Sequence, residues 1–266
     1  MEQVKDLLAD LKLHTVCQSA SCPNIGECFG SGTATFLILG GICTRNCRFC
    51  GVPKGSPSLL NPDEPENVAK AVEALGLRHT VITSVTRDDL PDGGASHFAM
   101  TLRLIRQRTP AVTAEVLIPD FQGDHDAIQL VLDAAPDVFN HNLETVPRLY
   151  PSVRPEADYW RSLEVLAVAA LGGVGIIKSG LMVGLGESED EIKEVFRDLV
   201  SAGANALTIG QYLRPSKDHL PVVEYIHPDQ FKLYELLAYE AGFVKVESGP
   251  LVRSSYHAER VFASSS

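Results

Sequence analysis

Apolar runs of strand length alternate with amphipathic segments of helix length, and this alternation constrains the fold of the chain more than any other feature. The strand-like runs are Thr35–Leu39, Thr80–Thr83, Thr113–Ile118, Asp137–Asn140, Gly175–Met182 and Ala206–Ile209. The segments with helical spacing of apolar residues cover 64–75, 95–108, 124–134, 156–171, 188–202 and 228–241. Such an alternation with short connections predicts a parallel sheet that carries helices on its outer face.

Six strand–helix units are too few for a closed eight-stranded barrel, so we expect an α/β fold of the partial (β/α)6 TIM-like barrel type. The length of 266 residues suits one large domain of this kind. We expect an N-terminal extension at residues 1–34, the barrel at 35–247 and a C-terminal segment at 248–266. In a parallel barrel the active site is expected at the carboxyl ends of the strands, which we call the mouth.

The charge balance excludes two classes of partner. The net charge of −11 argues against a protein that binds nucleic acid or a membrane surface. The apolar stretch Ala34–Ile42 is too short to cross a bilayer, which takes about 20 residues. We therefore expect a cytoplasmic protein. In that reducing compartment, six cysteines indicate metal ligands and not disulfides.

The six cysteines form two separate triplets. They are Cys17, Cys22 and Cys28, with the spacing C-x4-C-x5-C, and Cys43, Cys47 and Cys50, with the spacing C-x3-C-x2-C. Three thiolates can bind three irons of a [4Fe–4S] cube, and they leave the fourth iron open to another ligand. The second triplet directly follows the first predicted strand, so we expect it at the mouth. The charges of Arg45 and Arg48 would favour its thiolates.

A structural zinc ion is the alternative interpretation of the cysteines. Cys47 and Cys50 alone have the C-x2-C spacing of zinc sites. A zinc ion would need a fourth ligand, and His14 is the histidine nearest to the first triplet. Two triplets without a fourth cysteine each favour iron–sulfur clusters over zinc.

The cysteine motifs resemble those of a known enzyme family. The C-x3-C-x2-C loop, with Phe49 before its last cysteine, is similar to the signature loop of the radical S-adenosylmethionine (SAM) superfamily. The segments TVCQSASCPNIGEC (15–28), GTATF (32–36), CTRNCRFC (43–50) and SGPLVRSSYHA (248–258) resemble motifs of the lipoyl synthases within it. The chain departs from the usual pattern at Gln18, Phe29 and Gly41, none of which is an expected cluster ligand.

The resemblance implies that Cys43, Cys47 and Cys50 hold the catalytic [4Fe–4S] cluster that cleaves SAM to a 5′-deoxyadenosyl radical. The cofactor carries this chemistry, and the protein orients it.

The resemblance also implies an auxiliary [4Fe–4S] cluster on Cys17, Cys22 and Cys28, which would make 1–34 a cluster-binding extension. Its fourth ligand would be the hydroxyl of Ser254 in the Arg253–Tyr256 motif of the C-terminal segment, which would close over the mouth. This cluster would supply the sulfur. From composition alone, the same motif would be an ordinary polar turn.

Further residues are candidates for cofactor binding because they follow predicted strands. They are Phe49, Ser84, Arg87, Asn142, Glu144 and Lys178. We assign Asn142 and Glu144 to the ribose of SAM, and Arg87 and Lys178 to the cavity. The alternative for each is ordinary loop polarity or helix capping, and Lys178 could instead form an exposed ion pair with Glu187.

The activity that the resemblance implies is the insertion of two sulfur atoms, at C6 and C8 of an octanoyl chain on a lysine of a lipoyl carrier domain. The carrier would be the E2 component of a 2-oxoacid dehydrogenase or the H protein of glycine cleavage. A ferredoxin or flavodoxin-type electron donor and a cluster-assembly carrier would be further partners. Arg148, Arg154 and Arg161 could contact an acidic carrier or simply lie on the surface.

Two alternatives come from different classes. One is another radical SAM sulfur inserter, such as a biotin synthase or a methylthiotransferase, which the first cysteine triplet and the Arg253–Tyr256 motif disfavour. The other is an electron carrier or a zinc-stabilised binding protein.

Metal analysis separates these classes. We expect iron and acid-labile sulfide in amounts that approach two [4Fe–4S] clusters per chain after anaerobic reconstitution. One equivalent of zinc without acid-labile sulfide would contradict the iron–sulfur interpretation.

Overall fold

The chain forms one eight-stranded sheet whose strands lie side by side in sequence order. The computed structural model describes residues 7–15, 24, 30, 32–256 and 258. The strands are β1 (His14–Thr15), β2 (Thr33–Ile38), β3 (His79–Ser84), β4 (Thr113–Leu117), β5 (Val138–Asn140), β6 (Ile177–Val183), β7 (Ala206–Gln211) and β8 (Lys245–Gly249). β1 is antiparallel to β2, and β2–β8 are parallel throughout.

Helices connect the parallel strands. They are α1 (Glu64–Ala74), α2 (Ala95–Arg108), α3 (His125–Leu132), α4 (Tyr150–Val153), α5 (Tyr159–Leu171), α6 (Glu189–Ser201) and α7 (Pro228–Ala241). Each of the six predicted helices is present, and the single turn of α4 is an addition to them. Local chemistry explains several helix ends. Ser188 and Glu191 form a capping box that begins α6, and Gly242 at φ 116° ends α7.

The predicted partial barrel is confirmed, with two strands more than the sequence indicated. The short antiparallel β1 precedes the first predicted strand, and β8 follows the last. Six βα units run from β2 to α7, and β8 adds a seventh parallel strand across the predicted boundary at residue 248. β8 was missed because only Val246 of its five residues is fully buried, so it lacks an apolar run. Among the described residues β8 pairs only with β7, which leaves the barrel open between β8 and β1.

The main core lies between the sheet and the helices. Phe36 and Phe139 of the sheet and Phe98, Phe196 and Phe231 of the helices are all buried to within 1% exposure. A smaller apolar cluster of Val153, Leu185 and Tyr212, with Phe49 packed against it, lies apart from this core. The predicted apolar faces of the helices are therefore the faces that cover the sheet.

A buried polar network joins four neighbouring strands. The Glu115 carboxylate of β4 lies 3.1 Å from the ammonium of Lys178 on β6 and accepts a 2.7 Å hydrogen bond from Asn140 of β5. His79 of β3 lies 3.8 Å from the same carboxylate. Burial alone would raise the pKa of Glu115, but the Lys178 charge and His79 together lower it. Glu115 therefore stays charged inside the protein.

The C-terminal segment packs on β7. A Cβ atom at Gly210 would lie 2.2 Å from the carbonyl oxygen of Val252, so only glycine admits this approach. Gly210 is the residue before the end of β7, at the mouth. No helix in the described part of the chain is long and apolar enough to cross a membrane.

Replacement of Lys178 by methionine tests the buried ion pair. We expect Lys178→Met to lower the free energy of unfolding at pH 7.5 by about 3–5 kcal/mol, because the Glu115 carboxylate then remains buried without its counter-charge. Urea denaturation measures this loss. The matched control is Lys193→Met on α6, whose pair with Glu189 is partly exposed and is expected to leave the free energy of unfolding almost unchanged.

The pH dependence of that variant is the sharper test. In the wild type the pKa of Glu115 is lowered, so its contribution is present above the ordinary carboxyl pKa and is lost as the pH falls through the folded value. Without Lys178 the folded pKa moves above the ordinary value. The variant therefore recovers stability relative to the wild type between pH 7.5 and 5.5, and a constant difference would contradict this account.

Candidate functional site

The cysteine loop, residues 40–54, leaves the end of β2 and closes on itself. The amide of Cys43 donates to the Pro53 carbonyl at 2.8 Å, and the amide of Gly55 donates to the Cys43 carbonyl at 3.0 Å. The amide of Thr86, just beyond β3, donates to the Cys43 sulfur at 3.3 Å. Cys43, Cys47 and Cys50 are half-buried, unpaired thiols. As predicted for a loop after the first long strand, this one lies at the mouth.

Arg45 ties the loop to the next two strands. Its guanidinium binds both oxygens of Asp88 beyond β3 at 2.6 and 2.9 Å, and it binds Asp120 beyond β4 at 2.6 Å. Burial would raise the pKa of Asp120, but Arg45 lowers it to about 2. These contacts give no support to the expectation that Arg45 and Arg48 favour the thiolates. Two carboxylates compensate Arg45, and Arg48 is exposed.

Arg154, which directly follows α4, supplies the positive charge near the thiols. It is 8% exposed, and it donates to the carbonyls of Asn142 and Leu143 at 2.8 and 3.1 Å. Burial raises the pKa of Cys47 to about 12, and the Arg154 charge opposes that rise. Burial also raises the pKa of Cys50. Metal binding requires thiolates, so a bound cation must supply the remaining positive charge.

The suggestion that arginines 148, 154 and 161 contact a carrier does not fit their environments. Arg148 pairs with Glu191 at 2.7 Å, Arg161 lies 3.4 Å from Asp120, and Arg154 is buried. Sequence reasoning missed Arg154 because its value as a charge depends on the fold around α4.

The donor set fits a cube better than a single ion. Within the described ranges, no three His, Cys, Asp or Glu side chains converge on a point where one metal ion could bind. In a [4Fe–4S] cube each thiolate binds a different iron, so the three sulfurs need not meet at one point.

A second polar group follows β5. The Asn142 amide donates to Glu144 at 3.1 Å, and the backbone of Glu144 bridges to β6 through the Gly180 carbonyl at 3.0 Å. Glu144 has a φ of 70°, a conformation that costs free energy for a residue with a side chain and that is common at binding sites. A Cβ at Gly180 would lie 2.7 Å from Asn142 Oδ1, so this glycine makes room for the amide.

The pKa values in this group follow from burial. Burial raises the pKa of Glu144, against the effects of Arg154 and Asn142. Burial and the Arg154 charge lower the pKa of His141 to about 4, so this imidazole is neutral at pH 7. Its Nδ1 lies 2.9 Å from the Ile118 carbonyl.

Several buried polar atoms near the mouth lack a hydrogen-bond partner within the part of the chain that the structure describes. Among them are Ser84 Oγ at the end of β3, and Asn142 Oδ1 and His141 Nε2 beyond β5. Buried polar groups are ordinarily satisfied, so orphaned atoms at strand ends suit a site that binds a polar ligand. The ribose and methionyl groups of SAM carry polar atoms of this kind.

The predicted cofactor-binding residues divide into two sets. Ser84, Asn142 and Glu144 lie at strand ends, and Phe49 packs in the small apolar cluster beside them. Arg87 and Lys178 do not join them.

Arg87 and Lys178 are paired with other residues of the chain. Arg87 is 3% exposed and binds Asp89 at 2.8 Å and the Leu39 carbonyl at 3.2 Å. Lys178 lies near the beginning of β6, where it binds Glu115. It forms no pair with Glu187, which accepts hydrogen bonds from the amides of Gly184 and Leu185.

The loop after β7 covers the cysteine loop. His219 Nε2 lies 3.0 Å from the Cys50 carbonyl, and the Leu220 amide donates to the Arg48 carbonyl at 3.1 Å. Pro215 packs so closely on Gly51 that a Cβ there would lie 3.2 Å from it. No sequence pattern indicated these contacts, because they join residues about 170 positions apart.

The N-terminal motif contacts the C-terminal segment. Cys17, Cys22 and Cys28 lie outside the described residues, but Asn24 between them is described and buried. The Asn24 amide donates to the Leu251 carbonyl at 2.8 Å. Ser254, three residues further on, lies half-buried in a turn.

Comparison with known proteins gives two kinds of similarity. The radical SAM superfamily matches residues 37–199. A lipoyl synthase of Caldanaerobacter subterraneus subsp. tengcongensis is 58% identical over 260 residues, which cover 97% of this chain and 91% of that protein. A lipoyl synthase of Thermus thermophilus is 56% identical over 264 residues, which cover 98% of this chain and 82% of that protein.

Solved structures show the fold alone. Methylornithine synthase matches with a TM-score of 0.59 at 12% identity, over 91% of this chain and 81% of its own. The FeFe-hydrogenase maturase of Carboxydothermus hydrogenoformans matches with a TM-score of 0.62 at 16% identity, over 92% of this chain and 68% of its own.

The role of Arg154 can be tested on the thiols. We expect Arg154→Met to slow iodoacetamide alkylation of Cys47 in the reduced, iron-free protein, because the pKa of Cys47 rises further and the thiolate fraction falls about tenfold per pKa unit. Peptide mass spectrometry at a fixed pH measures the rate. Arg154→Lys keeps the charge and is expected to restore much of the alkylation rate of Cys47. Arg148→Met, at an exposed arginine, is the control. An unchanged or faster rate in Arg154→Met would refute the role.

Proposed function

Because this chain belongs to the lipoyl synthase family of radical SAM enzymes, we propose that it inserts two sulfur atoms, at C6 and C8, into an octanoyl chain on a lysine of a lipoyl carrier domain. Like its family, it uses SAM and [4Fe–4S] clusters. The structural observation that carries the proposal is the hydrogen bond from Asn24 to Leu251, because it joins the first cysteine motif to the segment that carries Ser254.

In the proposed radical site, Cys43, Cys47 and Cys50 hold one cluster. When bound, this cluster and SAM supply the radical chemistry that activates the C–H bonds of the octanoyl chain. The chain's own contribution is placement and exclusion of water. Arg45 fixes the loop, Phe49 packs against the apolar cluster at the mouth, and the loop after β7 contacts the backbone of the cysteine loop at Cys50.

The SAM contacts that we propose are the polar groups at neighbouring strand ends. Ser84 and Asn142 each have a buried oxygen without a partner among the described residues, and Asn142 also orients Glu144. A carboxylate suits the hydroxyl groups of a ribose because it only accepts hydrogen bonds when ionised. Arg87 and Lys178 carry less support for this role, because their charges already have protein partners.

The proposed sulfur site combines Cys17, Cys22 and Cys28 with Ser254. The contact between Asn24 and Leu251 supports this assignment, because it brings the N-terminal motif within a few residues of the serine. The fit of Val252 on Gly210 also supports it, since that contact holds the same segment at the mouth. A hydroxyl is a weaker iron ligand than a thiolate, which suits a cluster that gives up its sulfur.

The proposed division of the chain follows from these two sites. Residues 1–34 form the extension with the auxiliary motif, residues 35–247 form the radical SAM barrel, and residues 248–266 form the segment with the Ser254 motif. β8 spans the second boundary, so we propose that it couples the barrel to that segment.

The partners that we propose follow from the reaction. An octanoylated carrier is the substrate, as the family's activity requires, and the E2 component of a 2-oxoacid dehydrogenase or the H protein of glycine cleavage would present it. A ferredoxin or flavodoxin-type protein would supply electrons, and a cluster-assembly carrier would renew the auxiliary cluster. We propose a cytoplasmic location, where thiols stay reduced.

Two single variants test the two proposed sites separately. Cys43→Ala is expected to abolish release of 5′-deoxyadenosine from SAM, because the radical site loses a ligand, while the auxiliary cluster still assembles. Ser254→Ala is expected to leave SAM cleavage intact and to reduce lipoyl product at least about tenfold. Reconstituted protein is incubated anaerobically with an octanoyl-lysyl peptide, SAM and dithionite, and both products are measured by mass.

Release of 5′-deoxyadenosine tests the radical site, and the yield of lipoyl product tests the sulfur site. Undiminished 5′-deoxyadenosine release by Cys43→Ala would refute the radical-site assignment. Normal lipoyl yield from Ser254→Ala would remove Ser254 from the sulfur site and leave the radical site unaffected. A product with a single sulfur bridge or a methylthio group would indicate another radical SAM sulfur inserter. Ser255→Ala is the neighbouring control.

A further inference from the structure

The residue that leads into the cysteine loop has an unusual backbone conformation. Leu39 directly follows β2, has a φ of 68° and is 1% exposed. A leucine in the left-handed region is strained, so the surroundings must hold it there. Gly40 follows with a φ of 89°, and these two positive values turn the chain from the strand into the loop.

Three separate segments hold Leu39. The Leu39 amide donates to Glu64 Oε2, at the first residue of α1, at 2.8 Å. The Leu39 carbonyl accepts from Arg87 Nη1 at 3.2 Å. The side chain packs so tightly on Gly94, the N-cap of α2, that a Cβ there would lie 2.4 Å from Leu39 Cδ1.

The two polar partners are themselves fixed. His97 Nε2 of α2 lies 2.8 Å from the same oxygen of Glu64, and both side chains are buried. Asp89 binds the Arg87 guanidinium through two contacts of 2.8 Å. The Glu64 oxygen cannot reorient without breaking its buried contact with His97, and the Arg87 guanidinium cannot reorient without breaking its two contacts with the exposed Asp89.

We propose that Glu64, His97 and Arg87 are positioning residues that hold Leu39 in its left-handed conformation and thereby set the direction in which the cysteine loop leaves the sheet. We call this set the Leu39 clamp. It rests on the proposed function of loop 40–54. The clamp touches no thiol. It acts through the backbone of Leu39, only four residues before Cys43, and it gives Arg87 a role other than contact with SAM.

The matched comparison is Asp137, just before β5. Its carboxylate also accepts a backbone amide, that of Ala114 at 2.8 Å, and also binds a basic side chain, Arg106 at 3.2 Å. It lies at the amino ends of the strands, away from the cysteine loop. Loss of Asp137 therefore reports what loss of such a contact does to the fold in general.

The test uses the full-length, reduced and iron-free protein, so its result does not depend on any cluster or on SAM. Hydrogen–deuterium exchange is measured for peptides that cover residues 36–55, together with alkylation rates of the three thiols. Glu64→Ala is expected to speed exchange in 36–55 and alkylation of Cys43 at least about tenfold, the size of effect that a buried charge-assisted hydrogen bond gives. Asp137→Ala is expected to leave both at the wild-type rate.

Further variants separate hydrogen bonding from general instability. Glu64→Gln keeps an acceptor oxygen for the Leu39 amide and is expected to stay within about threefold of the wild type. Arg87→Met removes the contact with the Leu39 carbonyl, together with the exposed pair with Asp89, and leaves the Glu64 contact in place. It is expected to loosen the same peptides, which provides a second route if Glu64→Ala does not fold.

The outcomes are distinct. Wild-type exchange in Glu64→Ala, equal effects of Glu64→Ala and Asp137→Ala on residues 36–55, or Glu64→Gln as loose as Glu64→Ala would each overturn the clamp. The proposed function is assessed separately, by 5′-deoxyadenosine release from reconstituted wild-type protein. A failure of that assay leaves the exchange result standing, and a failure of the clamp leaves the activity standing.

Discussion

The contact of Arg45 with Asp88 and Asp120 is the interaction on which the arrangement of the mouth depends. It joins the cysteine loop after β2 to the segments after β3 and β4, so three strand ends share one buried ionic contact. Removal of one member would leave a buried charge without compensation, which costs far more than the loss of an exposed pair. Asp120 is fully buried and has a pKa of about 2, so the contact persists at every physiological pH. The middle of the cysteine loop is therefore held in place at Arg45, and its thiols are left as the groups that can bind a ligand.

The charges of the interior are arranged by depth. Near the beginning of β6, the charges of Lys178 and Glu115 compensate each other within the buried polar network. At the mouth, Arg154 has backbone carbonyls and the Tyr150 ring as its contacts, 5.3 Å from the ring centroid, and the neighbouring His141 is neutral. The mouth thus places the Arg154 charge near the thiol of Cys47, although the Glu144 carboxylate acts against it. A set of three thiolates around an iron cluster carries negative charge, and a nearby cation lowers the free-energy cost of burying it.

The sequence predicted the βα alternation almost completely because each strand and helix carries its own periodic signal. The misses have definite causes. β8 has one buried residue, so its strand character comes from pairing with β7 and not from its side chains. Lys178 was assigned to the cavity because it was grouped with the polar residues at the exit of the predicted strand. The strand runs Ile177–Val183 and places Lys178 near its beginning.

No local pattern in the sequence marks Arg154 as a buried residue, because an arginine after a short helix is usually exposed. Glu64 resembled a helix-opening acid, and its contact with Leu39 depends on the packing of α1 beside β2.

The two ends of the chain meet at the mouth, and this meeting has an energetic consequence. The hydrogen bond from Asn24 to Leu251 closes a loop of 227 residues, yet the entropic cost of closure is already met by the folded barrel between them. The segment that follows β8 therefore packs on a surface that the folded barrel already provides. Val252 makes the close contact, against Gly210 of β7. Sites that open and close are drawn from the less stable parts of a structure. A cluster that is consumed and rebuilt would need a ligand on a segment of this kind, whereas the cysteine loop of the radical site is held by buried contacts on both sides. In the proposed assignment, the ligands of the radical site lie on a loop that buried contacts hold, and Ser254 lies on the segment that docks after β8.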